Sequence, residues 1–520
     1  MKYFVRKGLG WSWRKAGHPS SRFLAILLPA LFALAIQAGA CSELATGTSF
    51  WVRLTTPVSS YNAKPGMPVH GFLLESPECD DAPVLPMRVP VEGRVVTAHR
   101  VGLGLRRETA SLEIEFLRFL PEGDAPIEIK SRVKLLDNAR ESVKNGVIHG
   151  IVSTDTPQGR ISSRLKYLPS LHLYPDPFLL GFKMLFPVFP EPEIYLGPGT
   201  DVEAVLTQPV KLPPDLPVAT AVPVLEHETE LTQDLNGLPE RTFTKQGKEA
   251  DVINLVFVGS QSDIEQAFQA AGWKQSESVS RSAVMHGFHA FLAKTNYATA
   301  PISMQWMDGR PADLTLEKTF DSYGKRNHLR IWALEKSWQG EPLWASAAVR
   351  ETGATLSVRH KGFMHHVSED VAEEQHVVLR DLEAAGCVDA VGLIARPDME
   401  HMMQNATGEF FRTDGTLEVI RLKPCQFDLH GAGYSDAPRP KPGSRAFRYT
   451  RREILTVRGD LLRANIIYSL FDVTRVTVKA FRQNSSHRAE EASFRQENHR
   501  ALTSAAPQAD SSPREPELGP

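Results

Sequence analysis

The chain has 520 residues, of which 42% are hydrophobic and 23% charged, with a formal net charge of -2. That length exceeds one ordinary core and predicts about two or three domains, while the composition excludes a disordered chain. A charge so near zero removes the general electrostatic ground for a nucleic-acid partner.

The first 40 residues read as an export segment. Lys2, Arg6, Lys7, Arg14, Lys15 and Arg22 form a basic leader, the run from Phe23 to Ile36 is apolar, and Ala38-Gly39-Ala40 supplies small residues for cleavage. A run that is apolar all round and chain-terminal does not suit a core helix. Three outcomes stay open: a cleaved signal peptide, a retained membrane anchor, or lipidation of Cys41. The last follows because the segment resembles a bacterial lipoprotein signal, although Ala38 stands where such signals usually have Leu.

The other cysteines are Cys79, Cys387 and Cys425, and no pair has C-x-x-C spacing, which argues against a cysteine zinc site. Cys387 and Cys425 either bridge in an oxidising compartment or stay as buried thiols.

Residues 47–210 read as an all-β barrel or sandwich domain. Short runs rich in Val, Ile and Phe (49–54, 69–74, 94–98, 111–116 and 127–135) are separated by Gly, Pro and Asp. Gly47-Thr48 with Leu54-Thr55-Thr56-Pro57-Val58 recurs as Gly199-Thr200 with Leu206-Thr207-Gln208-Pro209-Val210. The echo predicts two equivalent strands, the later one returning beside the first to cover its edge. The pattern also resembles small β-barrel modules of bacterial envelope and secretion proteins. Between the echoes, the segment from Phe178 to Phe189 is apolar but broken by Lys183 and Pro187, too short to span a bilayer. It reads either as a buried crossing of the barrel mouth or as an aromatic loop for a membrane interface or a partner. A linker is expected over 211–250, proline-rich at first and polar afterwards.

A C-terminal mixed α/β-sheet domain is expected over 251–481, giving an α+β chain overall. Asp251 to Gly259 is a buried strand, and Gln261 to Ala271 a helix capped by Ser260 or Ser262 and stopped by Gly272. Neither a lysine-bearing P-loop nor G-x-G-x-x-G is present, so no nucleotide is expected. Ser282 to Lys294 is a second helix, with His286 and His289 on its surface or packed. Strands are expected near 327–332, 342–350 and 355–360, and a helix from Ser368. Further on, 410–422 reads as a hairpin turning at Asp414-Gly415, 448–457 as a strand, 460–481 as a helix and 482–520 as a disordered tail.

Two sets of residues carry candidate chemistry. Strand alternation puts His328 and Arg330 on one face and Leu329 and Ile331 on the other, and with Arg310 they could hold an anion. Structurally, Arg330 could instead pair with a carboxylate such as Asp313. The second set is His328, His366, Glu369, Glu373 and His376. Glu369, Glu373 and His376 stand at i, i+4 and i+7, and Glu373-x-x-His376 has the spacing of helical carboxylate-metal sites. Zinc or iron would suit such ligands, and otherwise no cofactor is expected. H-E-x-x-H and G-x-S-x-G are absent.

Asn254-Leu-Val-Phe-Val-Gly259, Ala271-Gly272-Trp273, Pro301-Ile302, Gly309-Arg310-Pro311-Ala312-Asp313-Leu314, Asn327 to Trp332 and His366 before an acidic helix resemble the LssY C-terminal domain family of bacteria over about 251–396. The resemblance implies a context near type I secretion and no particular reaction. Other members carry the domain behind phosphatase-like or DedA-like membrane regions, which this sequence lacks.

The reading is therefore an exported protein of the bacterial cell envelope, periplasmic or anchored at its N-terminus. Its expected role is noncatalytic binding or assembly, in secretion, with an envelope protein or membrane lipid as partner. The alternative is a metal-assisted hydrolase built from the His/Glu set. A hydrolase would gather His328, His366, Glu373 and His376 around one pocket; a binding module would scatter them.

Overall fold

The computed structural model describes residues 42–79, 82–138, 140–155, 189–213, 216, 222–226, 228–319, 324–357, 362–429, 439–463, 474 and 478. The export segment, Cys41, residues 178–188 of the apolar segment and the tail lie outside the described residues.

Eight principal strands build the N-terminal half: β1 (Ser49–Leu54), β2 (Pro68–Glu75), β3 (Pro90–His99), β4 (Ser111–Phe119), β5 (Ser131–Leu136), β6 (Ser142–Lys144), β7 (Val147–His149) and β8 (Asp201–Leu206). They pair antiparallel in the order β5-β8-β1-β2-β3-β4-β7-β6. The sheet nearly closes on itself. Ser131 Oγ on β5 accepts from Phe116 N at 2.9 Å and donates to Phe116 O at 3.1 Å on β4. Alternate residues turn inward, and Phe50 meets Phe119 and Phe116 edge-on at 5.1 and 6.2 Å in the barrel core.

The echoed segments are neighbouring strands. β1 and β8 pair antiparallel, Val52 opposite Val202 and Phe50 opposite Ala204. Their ends exchange equivalent hydrogen bonds: Gly47 N to Leu206 O and Gly199 N to Leu54 O, each 2.8 Å. Both glycines have positive φ, 93° and 86°, which explains glycine at both starts.

The C-terminal half begins earlier than expected. Instead of a linker throughout 211–250, the chain forms α1 (Glu228–Asp234), β9 (Arg241–Phe243) and β10 (Glu249–Val252). The reason is apolar anchoring, because Leu225, Leu231 and Leu235 are buried against the main sheet. That sheet contains β11 (Leu255–Val258), β12 (Leu314–Thr319), β13 (Arg326–Trp338), β14 (Glu341–Ser357), β15 (Gly362–Val367), β16 (Val388–Ala395) and β19 (Thr416–Leu422). Between the last two, β17 (Met402–Gln404) and β18 (Phe410–Arg412) form a separate ribbon. The order is β12-β13-β14-β11-β19-β16, with β15 also on β14; among these described strands β11 and β19 are the parallel pair.

Helices α2 (Gln261–Ala270), α3 (Arg281–Ala293) and α4 (Ala372–Ala384) accompany it. Ser260 caps α2 in a capping box with Asp263. Ile264 and Phe268 of α2, with Val378 and Leu382 of α4, cover one face through Phe257, Leu329, Ile331 and Ile420. The opposite face carries Val256, Trp332, Ala345 and Val419 beneath α1.

Three local expectations fail. The segments 410–412 and 416–422 do not pair with each other: β18 joins β17, while β19 is drawn into the main sheet between β11 and β16. The stretch 448–457 is helical, within α5 (Arg445–Arg463), so the helix starts well before 460. Its Leu455 lies in the barrel core, and Arg451 and Arg458 pair with Glu191 at 2.6 Å and Glu108 at 3.1 Å. The C-terminal helix thus packs on the N-terminal half, not on the unit assigned to 251–481. Glu369 precedes α4, so the expected i, i+4, i+7 stack with Glu373 and His376 does not form.

Candidate functional site

Alternation along β13 places Leu329 and Ile331 under α2 and α4 and turns Arg326, His328 and Arg330 to the other face, where all three are buried. Each finds a protein partner there. His328 Nδ1 lies 3.4 Å from Glu351, and Arg326 bridges Glu351 and Glu317 at 2.7 and 3.1 Å. Arg330 donates to Asp251 at 2.7 Å and to the Ser303 carbonyl and hydroxyl at 2.9 Å. Asp313 instead accepts from Ala333 N, and Arg310 donates to Ala333 O at 2.7 Å from an exposed position. The anion candidates therefore do not converge.

The metal candidates also divide. His366 Nδ1 meets Glu409 at 2.6 Å, His376 Nε2 meets Glu75 of the barrel at 3.1 Å, and Glu373 accepts from Ser368 Oγ at 2.7 Å. Glu369 is exposed, with its carbonyl bonded to Arg412 N. Among the described residues no three His, Cys, Asp or Glu side chains gather as a metal site would require. The helical histidine His286 stacks on Tyr297 at 4.1 Å.

The polar residues that do converge lie elsewhere on α4. Its buried stripe includes Glu374, Gln375, Arg380 and Asp381 alongside Val377 and Val378. Asp381 is fully buried and accepts from Lys318 Nζ at 2.6 Å, Trp273 Nε1 at 3.0 Å and Arg53 Nη2 at 3.0 Å. Burial alone would raise the Asp381 carboxyl, but Lys318, Arg53 and Arg380 outweigh it and bring it down to about 2. Arg53 holds Asp201 with a two-pronged contact at 2.7 and 2.8 Å. Asp137 of the barrel takes Arg350 at 2.7 Å and also Lys325. Arg380 spans from Glu75 at 3.7 Å to the Trp51 ring at 5.0 Å. Together these form a buried ionic seam between the two halves.

Beside the seam is a small crevice bounded by β10, β14, the start of α4 and the β17–β18 ribbon. Its apolar wall is Val252, Val349, Val367, Val371 and Phe411; its polar residues are Asp251, Arg350, Ser368, Asp370, Glu374 and Asn405. The cavity holds about 30 Å³, space for a group the size of a water molecule or two. Glu374 is 1% exposed, and neither carboxylate oxygen has a hydrogen-bond partner. Burial raises this carboxyl well above the usual range despite the nearby Arg350.

The β13 motif, α2 and α4 lie within the residues that carry the sequence resemblance. Residues 235–417 match the LssY C-terminus family. Every residue lining the crevice lies within the matched residues 235–417. The seam does not: Arg53, Asp137, Asp201 and Glu75 come from outside it and meet Asp381, Arg350, Lys325 and His376 within it. The chain is also similar to ComB10 of the Com Type IV secretion system of Helicobacter pylori, at 12% identity over 34% of this chain and 93% of that one. The TM-score of that likeness is 0.20, and it carries no argument about fold or role. No match was found among curated proteins.

Sequence reasoning missed Asp381 and Glu374. Both occupy the apolar spacing of α4, three or four residues from Val377 and Val378, and a carboxylate on a buried stripe was the available signal.

Proposed function

We propose that this protein is exported to the bacterial envelope and works there noncatalytically, by binding, in the assembly of an envelope or secretion complex. The observation that carries the reading is the division of the charged candidates. His328, His366, Glu373 and His376 each pair separately, while the converging ions join barrel to sheet. A buried ionic seam fixes the relative position of two surfaces, which suits a scaffold that presents them to partners. The Cys387–Cys425 disulfide favours an oxidising compartment and so agrees with the export segment. The resemblance to a family associated with type I secretion supports the assembly role.

Fractionation with in-cell crosslinking tests this. Processed or anchored protein in the envelope fraction, crosslinked to envelope components, is expected. Unprocessed full-length chain free in the cytoplasm overturns the proposal.

A further inference from the structure

We propose that α5 and the loop between β3 and β4 form a face that lies on an anionic phospholipid bilayer. The inference deepens the binding role proposed above by naming a partner for it, and it rests on that role.

The helix has two unlike sides. Phe447, Arg451 and Leu455 recur every four residues and turn towards the barrel: Phe447 meets the Tyr61 ring at 6.3 Å, Arg451 meets Glu191 at 2.6 Å and Leu455 enters the core. Arg445, Tyr449, Glu453 and Val457 keep the same spacing at an offset of two positions, about 200° round the axis. All four are exposed.

The barrel loop runs along this helix. Arg100 lies 5.8 Å from the Tyr61 ring, beside Phe447 in the first turn. Arg458, towards the other end, donates to the carbonyls of Gly104 and Leu105 at 3.3 and 2.7 Å. Residues 100–105 therefore follow α5 for roughly 16 Å of its length.

Positive charge gathers here, although the whole chain is close to neutral. Arg445, Arg448 and Arg452 on the helix and Arg100, Arg106 and Arg107 on the loop have no carboxylate partner among the described residues. Arg448 donates to the carbonyls of Lys441 and Gly443, which leaves its charge unbalanced. Glu108 is taken by Arg458 at 3.1 Å, and Glu453 is the acid exposed on the outward stripe.

Cations alone would suit any polyanion; the apolar side chains among them decide for a bilayer. Leu105 is 68% exposed, Tyr449 66% and Val457 56%. A phospholipid interface takes such side chains into its headgroup layer while guanidinium groups meet phosphate. A folded acidic protein would have to offer each arginine a carboxylate at a fixed position, whereas lipids rearrange to supply one.

The test is flotation of the full chain with vesicles of phosphatidylcholine alone and of phosphatidylcholine mixed with phosphatidylglycerol, with amide exchange measured on the bound protein. Binding that depends on phosphatidylglycerol and weakens with salt is expected, together with slower exchange in residues 100–107. Arg445→Gln combined with Arg452→Gln should weaken it about 30-fold, near 5-fold for each cation removed. Leu105→Ser combined with Tyr449→Ser should weaken it as well. Arg445, Tyr449 and Leu105 are exposed and Arg452 half-buried, so melting temperatures matching the parent separate lost binding from lost folding. The basic leader and apolar run of the first 40 residues are the same in every variant, so differences between variants read this face alone. Equal binding to both vesicles, unchanged exchange in the loop, or parental affinity in the double arginine variant overturns the proposal. Equal affinity for soluble polyglutamate, which has the charge without the interface, also overturns it and favours an acidic protein. The vesicles contain no protein, so failure here leaves the assembly role to stand or fall on fractionation and crosslinking.

Discussion

Arg53 and Asp381 stand 328 positions apart in the chain, yet their side chains meet at 3.0 Å in a site closed to water. One belongs to the barrel and the other to α4. The same guanidinium grips Asp201 on the adjacent strand, so a single cation ties a barrel strand pair to the second half.

Replacing Asp381 by Asn should be strongly destabilising. It leaves Arg53 and Lys318 buried without part of their counter-charge while Trp273 keeps an acceptor. Breaking one side of a buried ionic cluster typically costs about 3–5 kcal/mol. Chemical denaturation should show a lower midpoint, and loss of cooperativity would indicate that the halves unfold separately.

Glu374→Gln should act in the opposite direction at neutral pH. The folded carboxyl is raised by burial, so between its unfolded and folded pKa values the native state holds a proton that the unfolded chain has released. Stability contributed here is full below the unfolded pKa and declines as pH rises towards the folded one. Gln removes that decline. The variant should melt higher than the parent at pH 8, by roughly 2–4 °C for each kcal/mol recovered, and the gap should narrow towards pH 4.

The Cys387–Cys425 bridge closes a 38-residue separation across β16 to β19. Both sulfurs sit against the core shared by α2 and α4. Cys425→Ser should lower stability by about 3–4 kcal/mol. Thermal melts of the parent and Cys425→Ser measure it; identical curves would mean that the bridge does not form in the purified protein.

Gly71 is a test of barrel geometry. A Cβ there would lie 2.5 Å from Val52 Cγ1 and 2.6 Å from the Arg53 carbonyl oxygen. Gly71→Ala must therefore displace the strand that carries Arg53, at about 1–3 kcal/mol. If the shift reaches the seam, the double variant with Asp381→Asn should lose less than the sum of the two.

Much of the architecture was legible in the sequence because short-range patterns encode it. Alternation along β13 assigned faces to Leu329, Ile331, His328 and Arg330, and α2 follows its Ser260 cap and Gly272 stop. The echo between 47–54 and 199–206 located two strands that pair although most of the barrel lies between them in the chain. Only the tertiary structure decided which partners the charged side chains took. A carboxylate at 374 or 381 looks the same in the sequence whether it faces water or Arg53, because burial depends on elements supplied by the distant barrel. Edge competition likewise sent β19 into the main sheet rather than a local hairpin, and apolar contact sent α5 back to the barrel. Periodicity is a property of neighbouring residues; the ionic seam depends on two halves meeting, and no local pattern records that meeting.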